Sequence, residues 1–395
     1  MRYLFNIVLF LWVISIPFMS PHYNSYTELL IVAGLIFAII KKQDYSTLKD
    51  LIKTYKGIFF VFLSIILTMF ASNFFGVDTS EGYKITIKLL FRYGLVFLAL
   101  LYFYKTNKFS KQTLVKFILF SLFIQAVDGV YQYIYGVDFI NHREILGYRL
   151  SGGVYHVNPF GFIMAIGASM MTFIIINKKY FKKRSHFFLL VPLLMLFLFN
   201  MFYSGSRSSW MFYAVFILTQ LIFINHKNKK YFFGFLGALF VFTFSYILFD
   251  DDLNNQFLRL ISFDSSGRYR LWKEVLNVIA QKPMLGYGPE SFKLVVDVNV
   301  AFVHNSFLEV LLYTGTVGLI LFIWLLYKVY MEIIIEKKFI YLSFYFSLLA
   351  ISLFDYSIFA TEILLSILTI FAFFVFSQRN ITRKVDCVSL GGDVA

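Results

Sequence analysis

Twelve apolar stretches divide the chain, each close to the length that a helix needs to cross a bilayer. They fall at about 4–19, 26–40, 57–75, 85–104, 114–135, 159–176, 187–203, 209–224, 232–249, 306–327, 339–355 and 360–377. Only helices and closed barrels satisfy their backbone groups in lipid, and these long unbroken runs match helices. The pattern predicts an all-α polytopic membrane protein with about 12 transmembrane helices. Several runs are short and the second contains Glu28, so one pair could be re-entrant.

Composition supports a membrane protein and excludes a soluble one. Of the 395 residues, 59% are hydrophobic and 15% are charged, and the mean hydropathy is +0.73, which is too apolar for a soluble domain of this size. The first stretch resembles a signal peptide but lacks a small-x-small cleavage site, so we predict a retained helix. The single cysteine, Cys387, excludes an intramolecular disulfide and a cysteine-based metal site.

Basic residues alternate between the two sides of the predicted membrane. Most of the 36 lysines and arginines fall near residue 2 and in the loops at 41–56, 105–116, 178–184, 227–230, 328–338 and 379–384. The positive-inside rule assigns these loops, and therefore both termini, to the cytoplasm. The net charge of +14 thus indicates contact with membrane lipids, and no nucleic-acid partner is expected.

The opposite side, which is the periplasm in a diderm bacterium, receives two long loops. We predict nine helices over 1–249 with a periplasmic loop near 136–158, a large periplasmic loop over 250–305, three helices over 306–377 and a cytoplasmic tail over 378–395. Within the large loop, positions 271, 272, 275, 276, 278 and 279 are apolar at helical spacing. This predicts an amphipathic helix that starts after Ser265-Ser266-Gly267 and lies along the membrane.

A histidine at the mouth of the tenth predicted helix is the strongest catalytic candidate. His304-Asn305 precedes an apolar run that reaches Gly315 and Gly318, small residues that let a neighbouring helix come close. Histidine can take a proton from a hydroxyl near neutral pH. The alternative is an interfacial histidine that hydrogen-bonds to backbone above a tight helix contact.

Arginines in the far-side loops need an explanation, because such loops disfavour basic residues. Arg207 occupies a short Ser/Gly turn, Arg268 starts the amphipathic helix with Arg270 two residues later, and Arg149 lies in a Gly-rich loop followed by His156. Guanidinium groups and helix N-termini bind phosphate. The alternatives are a snorkelling Arg207, ordinary helix-surface charge at 268 and 270, and a solvated loop around Arg149.

Several other chemistries lack their motifs. The sequence contains no Gly-x-x-x-x-Gly-Lys-Ser/Thr loop, no His-Glu-x-x-His helix and no Gly-x-Ser-x-Gly elbow. The run Asp250–Asp252 could bind a divalent cation or cap the ninth helix, and the cap is favoured. Asp128, Glu309, Asp355 and Glu362 would be proton-relay candidates in a transporter, although all four can sit near helix ends.

The order of these motifs resembles the O-antigen ligase and O-antigen polymerase superfamily. The resemblance covers roughly residues 145–330 and is carried by Ser-Gly-Ser-Arg207-Ser, Ser-Gly-Arg268 with Trp272, Pro283-Met-Leu-Gly-Tyr-Gly, His304-Asn305 and the glycine pair at 315 and 318. It implies a GT-C-like glycosyltransferase of lipopolysaccharide biosynthesis in the bacterial inner membrane, with its active site in the periplasm.

The resemblance also implies the reaction and its participants. The donor is a glycan on undecaprenyl diphosphate, and a ligase, the favoured interpretation, transfers it to a sugar hydroxyl of lipid A-core; a polymerase would use another lipid-linked repeat. It implies a metal-independent, inverting enzyme without a cofactor. Arg207 and Arg268 would bind the diphosphate and His304 the acceptor hydroxyl, with Arg149, Arg270, Asn305 and His156 as further substrate contacts. A flippase or other transporter is less favoured because the polar groups concentrate in far-side loops rather than at mid-membrane.

Overall fold

The computed structural model describes residues 2–17, 21–41, 45–154, 156–176, 185–223, 250–261, 267–298, 302–335 and 341–355, with isolated positions 233, 234, 237, 300 and 357. The described helices are α1 (Arg2–Ser15), α2 (Pro21–Ile40), α3 (Tyr45–Thr54), α4 (Lys56–Phe74), α5 (Thr79–Leu89), a π-helix (Leu90–Val96), α6 (Phe97–Lys105), α7 (Lys111–Tyr135), α8 (Val157–Ile176), α9 (Ser185–Tyr203), α10 (Arg207–Phe223), α11 (Asp251–Ile261), α12 (Arg268–Ile279), α13 (Phe292–Val295), α14 (Ser306–Ile335) and α15 (Leu342–Phe354). No β-strand occurs in this part of the chain.

Helices occupy ten of the twelve predicted apolar stretches. Within the described residues, five helices are long and apolar enough to cross a membrane: α4, the continuous segment Thr79–Lys105, α7, α8 and α14. Five shorter apolar helices accompany them, in α1, α2, α9, α10 and α15. The prediction of an all-α membrane protein is confirmed. The predicted spans at 232–249 and 360–377 and the predicted tail at 378–395 fall outside the described residues, apart from the isolated positions.

Helix α8 forms the centre of the bundle. It packs against α7, α9 and α10, and 94% of its membrane-length window is buried. Small residues allow this close packing, because a Cβ at Gly167 would lie 2.9 Å from the ring of Phe197 and a Cβ at Gly161 would lie 2.2 Å from the Ser204 hydroxyl. The Ser/Gly turn between α9 and α10 is therefore held directly against the start of α8.

Helix α14 is broken at Gly315, whose φ of 66° and ψ of −168° lie outside the helical region. The turn at 283–288 fills the break: the N–H groups of Tyr287 and Gly288 donate to the carbonyls of Leu312 and Tyr313, each at 2.9 Å. A Cβ at Gly315 would lie 2.1 Å from the Met284 carbonyl oxygen. The sequence predicted that a neighbouring helix approaches this position. A backbone turn lies directly against Gly315, and α4 packs on α14 beside it, where the Ser72 hydroxyl donates to the Tyr313 carbonyl.

Helix α12 confirms the predicted amphipathic helix but not its location. Its buried side chains Leu271, Val275 and Ile279 form a small core with Leu312 and Tyr313 of α14 and with residues of the following loop. Most of the apolar face therefore packs on the protein rather than along the membrane, whereas Leu276 remains exposed. This packing fixes the start of α12 relative to the start of α14.

Two acidic positions raised by the sequence have defined partners. Glu28 inside α2 accepts a hydrogen bond from Arg92 Nε at 2.7 Å, and both side chains are only 3% exposed. Pairing lowers the cost of carrying a carboxylate within a membrane helix. Asp250 accepts hydrogen bonds from the Leu253 N–H at 3.0 Å and the Tyr203 hydroxyl at 2.9 Å, so it caps α11. The predicted ninth helix, which this acidic run was expected to cap, lies outside the described residues apart from isolated positions.

Candidate active site

A polar cavity of about 660 Å³ lies where the ends of several helices meet. Among the described residues, five arginines, a histidine and three carboxylates contribute to its wall. The lining residues are Arg149, Asn158, Gly205, Arg207, Ser208, Gln256, Arg259, Gly267, Arg268, Arg270, Leu271, Glu274, Asp297, Val298, Val300, His304 and Asp355. The positive-inside pattern assigns every segment in this set to the same side of the membrane.

Helices α8, α10, α12 and α14 all begin at the cavity. Asn158 is the second residue of α8, Arg207 and Arg268 are the first residues of α10 and α12, and His304 lies two residues before α14. The first turn of a helix carries unpaired N–H groups and the positive end of the helix dipole. The cavity is therefore suited to a strongly anionic group even without the charges of its side chains.

Arg207 reaches the cavity from the tight turn between α9 and α10. One of its terminal nitrogens, Nη1, donates to the Arg259 carbonyl at 3.0 Å, which links α10 to the end of α11. Arg259 also lines the cavity, although the sequence did not single it out.

Arg149 is held against the same turn by the loop between α7 and α8. Its Nε donates to the Ser204 carbonyl at 2.9 Å and its Nη2 to the Asn158 Oδ1 at 2.9 Å. Gly205 has a φ of 62° and lets this side chain pass, because a Cβ there would lie 2.8 Å from Nε. Burial lowers the pKa of Arg149, yet arginine stays charged at physiological pH. A fixed cation thus faces the cavity.

Arg268 connects the start of α12 to the end of α15. Its Nη1 donates to the Phe354 carbonyl, and its Nη2 lies 3.4 Å from Asp355 Oδ1. Gly267, with a φ of 80°, precedes the helix. Arg270 lies further along α12 and also lines the cavity, with an exposed side chain.

His304 forms a hydrogen-bonded pair with Asp355. Its Nδ1 lies 3.0 Å from Asp355 Oδ1, and the imidazole packs on the Phe302 ring at a centroid distance of 4.2 Å. A carboxylate is acceptor-only, so it selects the tautomer with hydrogen on Nδ1 and leaves Nε2 able to accept a proton. His304 itself has a φ of 57°, an uncommon conformation for a residue other than glycine.

Asp355 is the functional candidate that the sequence placed only among possible proton relays. Its second oxygen, Oδ2, accepts a hydrogen bond from the Ser208 hydroxyl at the start of α10. Burial alone would raise the pKa of this carboxyl, but the hydrogen bond from His304, the charge of Arg268 and the Ser208 hydroxyl outweigh it and lower the pKa. Asp355 therefore stays ionised beside the imidazole. An acidic residue at the far-side end of an apolar run was the only sequence signal for it.

Asn305 and His156, the remaining predicted substrate contacts, lie in surroundings that differ from those of the arginines. Asn305 Oδ1 accepts hydrogen bonds from the N–H groups of Phe307 and Leu308, and its Nδ2 donates to the Leu353 carbonyl at 2.9 Å, so its amide is used within the protein. His156 does not line the cavity, and its Nδ1 accepts from the Asn158 N–H at 3.3 Å. Desolvation and the charge of Arg149 lower the pKa of His156.

The cavity thus joins two chemical functions. Its arginines and helix N-termini can bind a polyanion such as a diphosphate, and its His–Asp pair can take a proton from a hydroxyl. Within the described residues, no group of three or more His, Cys, Asp or Glu side chains is arranged to hold a metal ion.

Comparison with known proteins identifies one family. The family model described as O-antigen ligase matches residues 192–323, which include Arg207, Arg268 and His304. The resemblance to the O-antigen ligase superfamily is confirmed, and the match does not distinguish a ligase from a polymerase. No curated protein matches the chain.

Proposed function

We propose that the protein transfers a glycan from undecaprenyl diphosphate to a sugar hydroxyl of lipid A-core, and the match of residues 192–323 to the O-antigen ligase family model supports this proposal. The family implies a glycosyltransferase-like enzyme of lipopolysaccharide biosynthesis. The observation that carries the proposal is the cavity, in which Arg207 and Arg268 line the same wall as the His304–Asp355 pair.

Each part of the cavity has a role in the proposed transfer. His304 Nε2 accepts the proton of the acceptor hydroxyl while its oxygen attacks the anomeric carbon of the donor sugar. The bond from that carbon to the diphosphate oxygen breaks, and its electron pair leaves with undecaprenyl diphosphate. Attack from the face opposite the diphosphate inverts the anomeric centre. Arg207 and Arg268, supported by Arg149, stabilise the departing charge.

The same arrangement supports a metal-independent reaction. Departure of a diphosphate requires positive charge close to its oxygens, and fixed guanidinium groups at helix N-termini supply it. Asp355 acts through His304 and is therefore a positioning residue. It holds the imidazole tautomer and stabilises the imidazolium that forms when the proton arrives.

Transfer by purified protein tests this proposal. With lipid-linked donor and lipid A-core acceptor, we expect turnover in the presence of EDTA and a fall of about two to four powers of ten in turnover for His304→Ala. Binding of the lipid-linked donor should be retained, because His304 acts on the acceptor. Wild-type turnover from His304→Ala, or complete inhibition of the unaltered protein by EDTA, would contradict the proposed mechanism.

The alternative acceptor is another lipid-linked repeat, which would make the protein an O-antigen polymerase. Both reactions use the same diphosphate leaving group and the same base, so they differ in the acceptor alone. A deletion strain separates them by its glycans. Loss of all polymer from lipid A with accumulation of lipid-linked polymer indicates a ligase, whereas lipid A carrying a single repeat indicates a polymerase.

We also propose twelve spans in a GT-C-like arrangement in the bacterial inner membrane, divided at 249, 305 and 377, with both termini in the cytoplasm and the cavity in the periplasm. The alternating basic loops support this topology. A reporter fused after Asn225 or at the C-terminus should read cytoplasmic, and one within 250–300 should read periplasmic. A periplasmic signal after Asn225 would overturn the helix count.

A further inference from the structure

Two carboxylates in the cavity wall have no part in the proposed transfer. Glu274 on α12 and Asp297 in the loop after α13 line the cavity, and both side chains are exposed. In the part of the chain that the structure describes, neither makes a hydrogen bond or an ion pair. Asp355, the third carboxylate of the wall, already contacts His304, Arg268 and Ser208.

Two carboxylates that make no hydrogen bond or ion pair would be unfavourable in a cavity whose only ligand is a diphosphate, because the ligand is also an anion. Like charges repel at short range, so Glu274 and Asp297 would weaken diphosphate binding if phosphate oxygens approached them. They must therefore face a part of the ligand that is neutral and rich in hydrogen-bond donors. Sugar hydroxyls have this chemistry, because each can donate a hydrogen bond to an acceptor-only carboxylate.

The position of Glu274 on α12 indicates how far the neutral part of the ligand lies from the diphosphate. Glu274 follows Arg268 by six residues on α12, which corresponds to a rise of about 9 Å. It lies one turn beyond Arg270, on the same side of the helix. A sugar ring joined to a diphosphate at Arg268 covers this distance, so its hydroxyls come within reach of the carboxylate.

Asp297 lines the same cavity and precedes Val298, which packs on the core formed by α12. Val298 and Val300 line the wall beside it, and these small apolar side chains suit the C–H face of a sugar ring. The segment then continues to His304, where the acceptor hydroxyl must lie. A ring between Glu274 and Asp297 would therefore have the diphosphate at one end and the acceptor close to its anomeric carbon.

We propose that Glu274 and Asp297 bind hydroxyls of the donor sugar that is joined directly to the diphosphate, and so select that sugar. This inference rests on the proposed function. We assign these carboxylates to the donor sugar rather than the acceptor sugar because Glu274 lies on the same helix as Arg268. A diphosphate bound at Arg268 would hold the donor ring within reach of Glu274.

Binding measurements on the purified full-length protein in detergent test the proposal. Glu274→Ala and Asp297→Ala remove exposed side chains, and Asp251→Ala removes an exposed carboxylate on α11 that does not line the cavity. Three quantities are compared: Kd for the lipid-linked glycan donor, Kd for undecaprenyl diphosphate without a glycan, and KM for the acceptor.

We expect each cavity variant to raise the donor Kd by about tenfold or more, in line with loss of a hydrogen bond to a charged group. Binding of undecaprenyl diphosphate should be unchanged or tighter, acceptor KM should be unchanged, and Asp251→Ala should match the unaltered protein. An unchanged donor Kd, or a rise confined to acceptor KM, would overturn the donor-sugar assignment. Failure of the unaltered protein to bind undecaprenyl diphosphate would instead contradict the proposed function, and the subsite with it.

Discussion

Replacing Asp355 with Asn tests the link between the His–Asp pair and turnover. Asp355 Oδ1 faces His304 Nδ1 at 3.0 Å, and its Oδ2 accepts from Ser208. An amide nitrogen placed opposite Nδ1 would donate to it and move the imidazole hydrogen to Nε2, so His304 could no longer accept the proton of the acceptor hydroxyl. The loss of general-base catalysis corresponds to a fall of about 10²–10⁴ in kcat.

The amide can also adopt the opposite orientation, with its oxygen toward His304. The tautomer is then kept, but a neutral oxygen replaces a charged one, and a charge-assisted hydrogen bond is about twice as strong as a neutral bond. In that orientation the imidazolium formed during transfer loses its counter-charge. Either orientation should lower kcat, whereas donor KM should change only a few-fold, because the arginines proposed to bind the diphosphate remain.

The assay is steady-state transfer measured over a range of donor concentrations up to saturation, and Ser208→Ala is the matched control. That variant removes the hydrogen bond to Oδ2 while it leaves the contact between His304 and Oδ1, so kcat should fall by less than about tenfold. Elution as a single species and unchanged donor binding establish that each variant is folded. If Asp355→Asn keeps more than a tenth of the wild-type kcat, or if Ser208→Ala loses as much, Asp355 does not act through the imidazole.

Three further outcomes are expected. Arg268→Lys should restore little of the transfer lost in Arg268→Ala, since lysine lacks the planar pair of donors; near wild-type transfer by the lysine variant would show that charge alone suffices. Gly315→Ala should lower the thermal stability of the protein in detergent and its transfer together, because the new Cβ would meet the Met284 carbonyl and the positive φ would be strained; an unchanged Tm would contradict the observed break. The lowered pKa of Asp355 means that its carboxylate stabilises the fold above the ordinary aspartate pKa of about 3.9, and that this contribution is lost as pH falls through the lower value in the folded protein. The Tm deficit of Asp355→Asn should therefore still be present at pH 5, as measured by thermal unfolding, and a deficit that already vanishes at about pH 5 would refute this shift.

The sequence alone predicted the helices of ten apolar stretches and most of the cationic side chains of the candidate site. A membrane span is defined by the length and hydropathy of a contiguous run, which are local properties, so ten apolar stretches could be assigned from the pattern alone. The arginines at 149, 207 and 268 and His304 stood out because their types are unusual in far-side loops. Guanidinium and imidazole groups by themselves limit the chemistry to anion binding and proton transfer.

Only the tertiary structure decided how these residues combine. His304 and Asp355 lie 51 positions apart, and their contact depends on the end of α15 meeting the starts of α10 and α14. No local pattern specifies such an approach, because it results from the packing of whole helices. The same reason explains why the sequence did not indicate the backbone turn that enters the broken helix at Gly315. It also explains why the sequence assigned a membrane surface to the apolar face of α12, most of which packs on the protein.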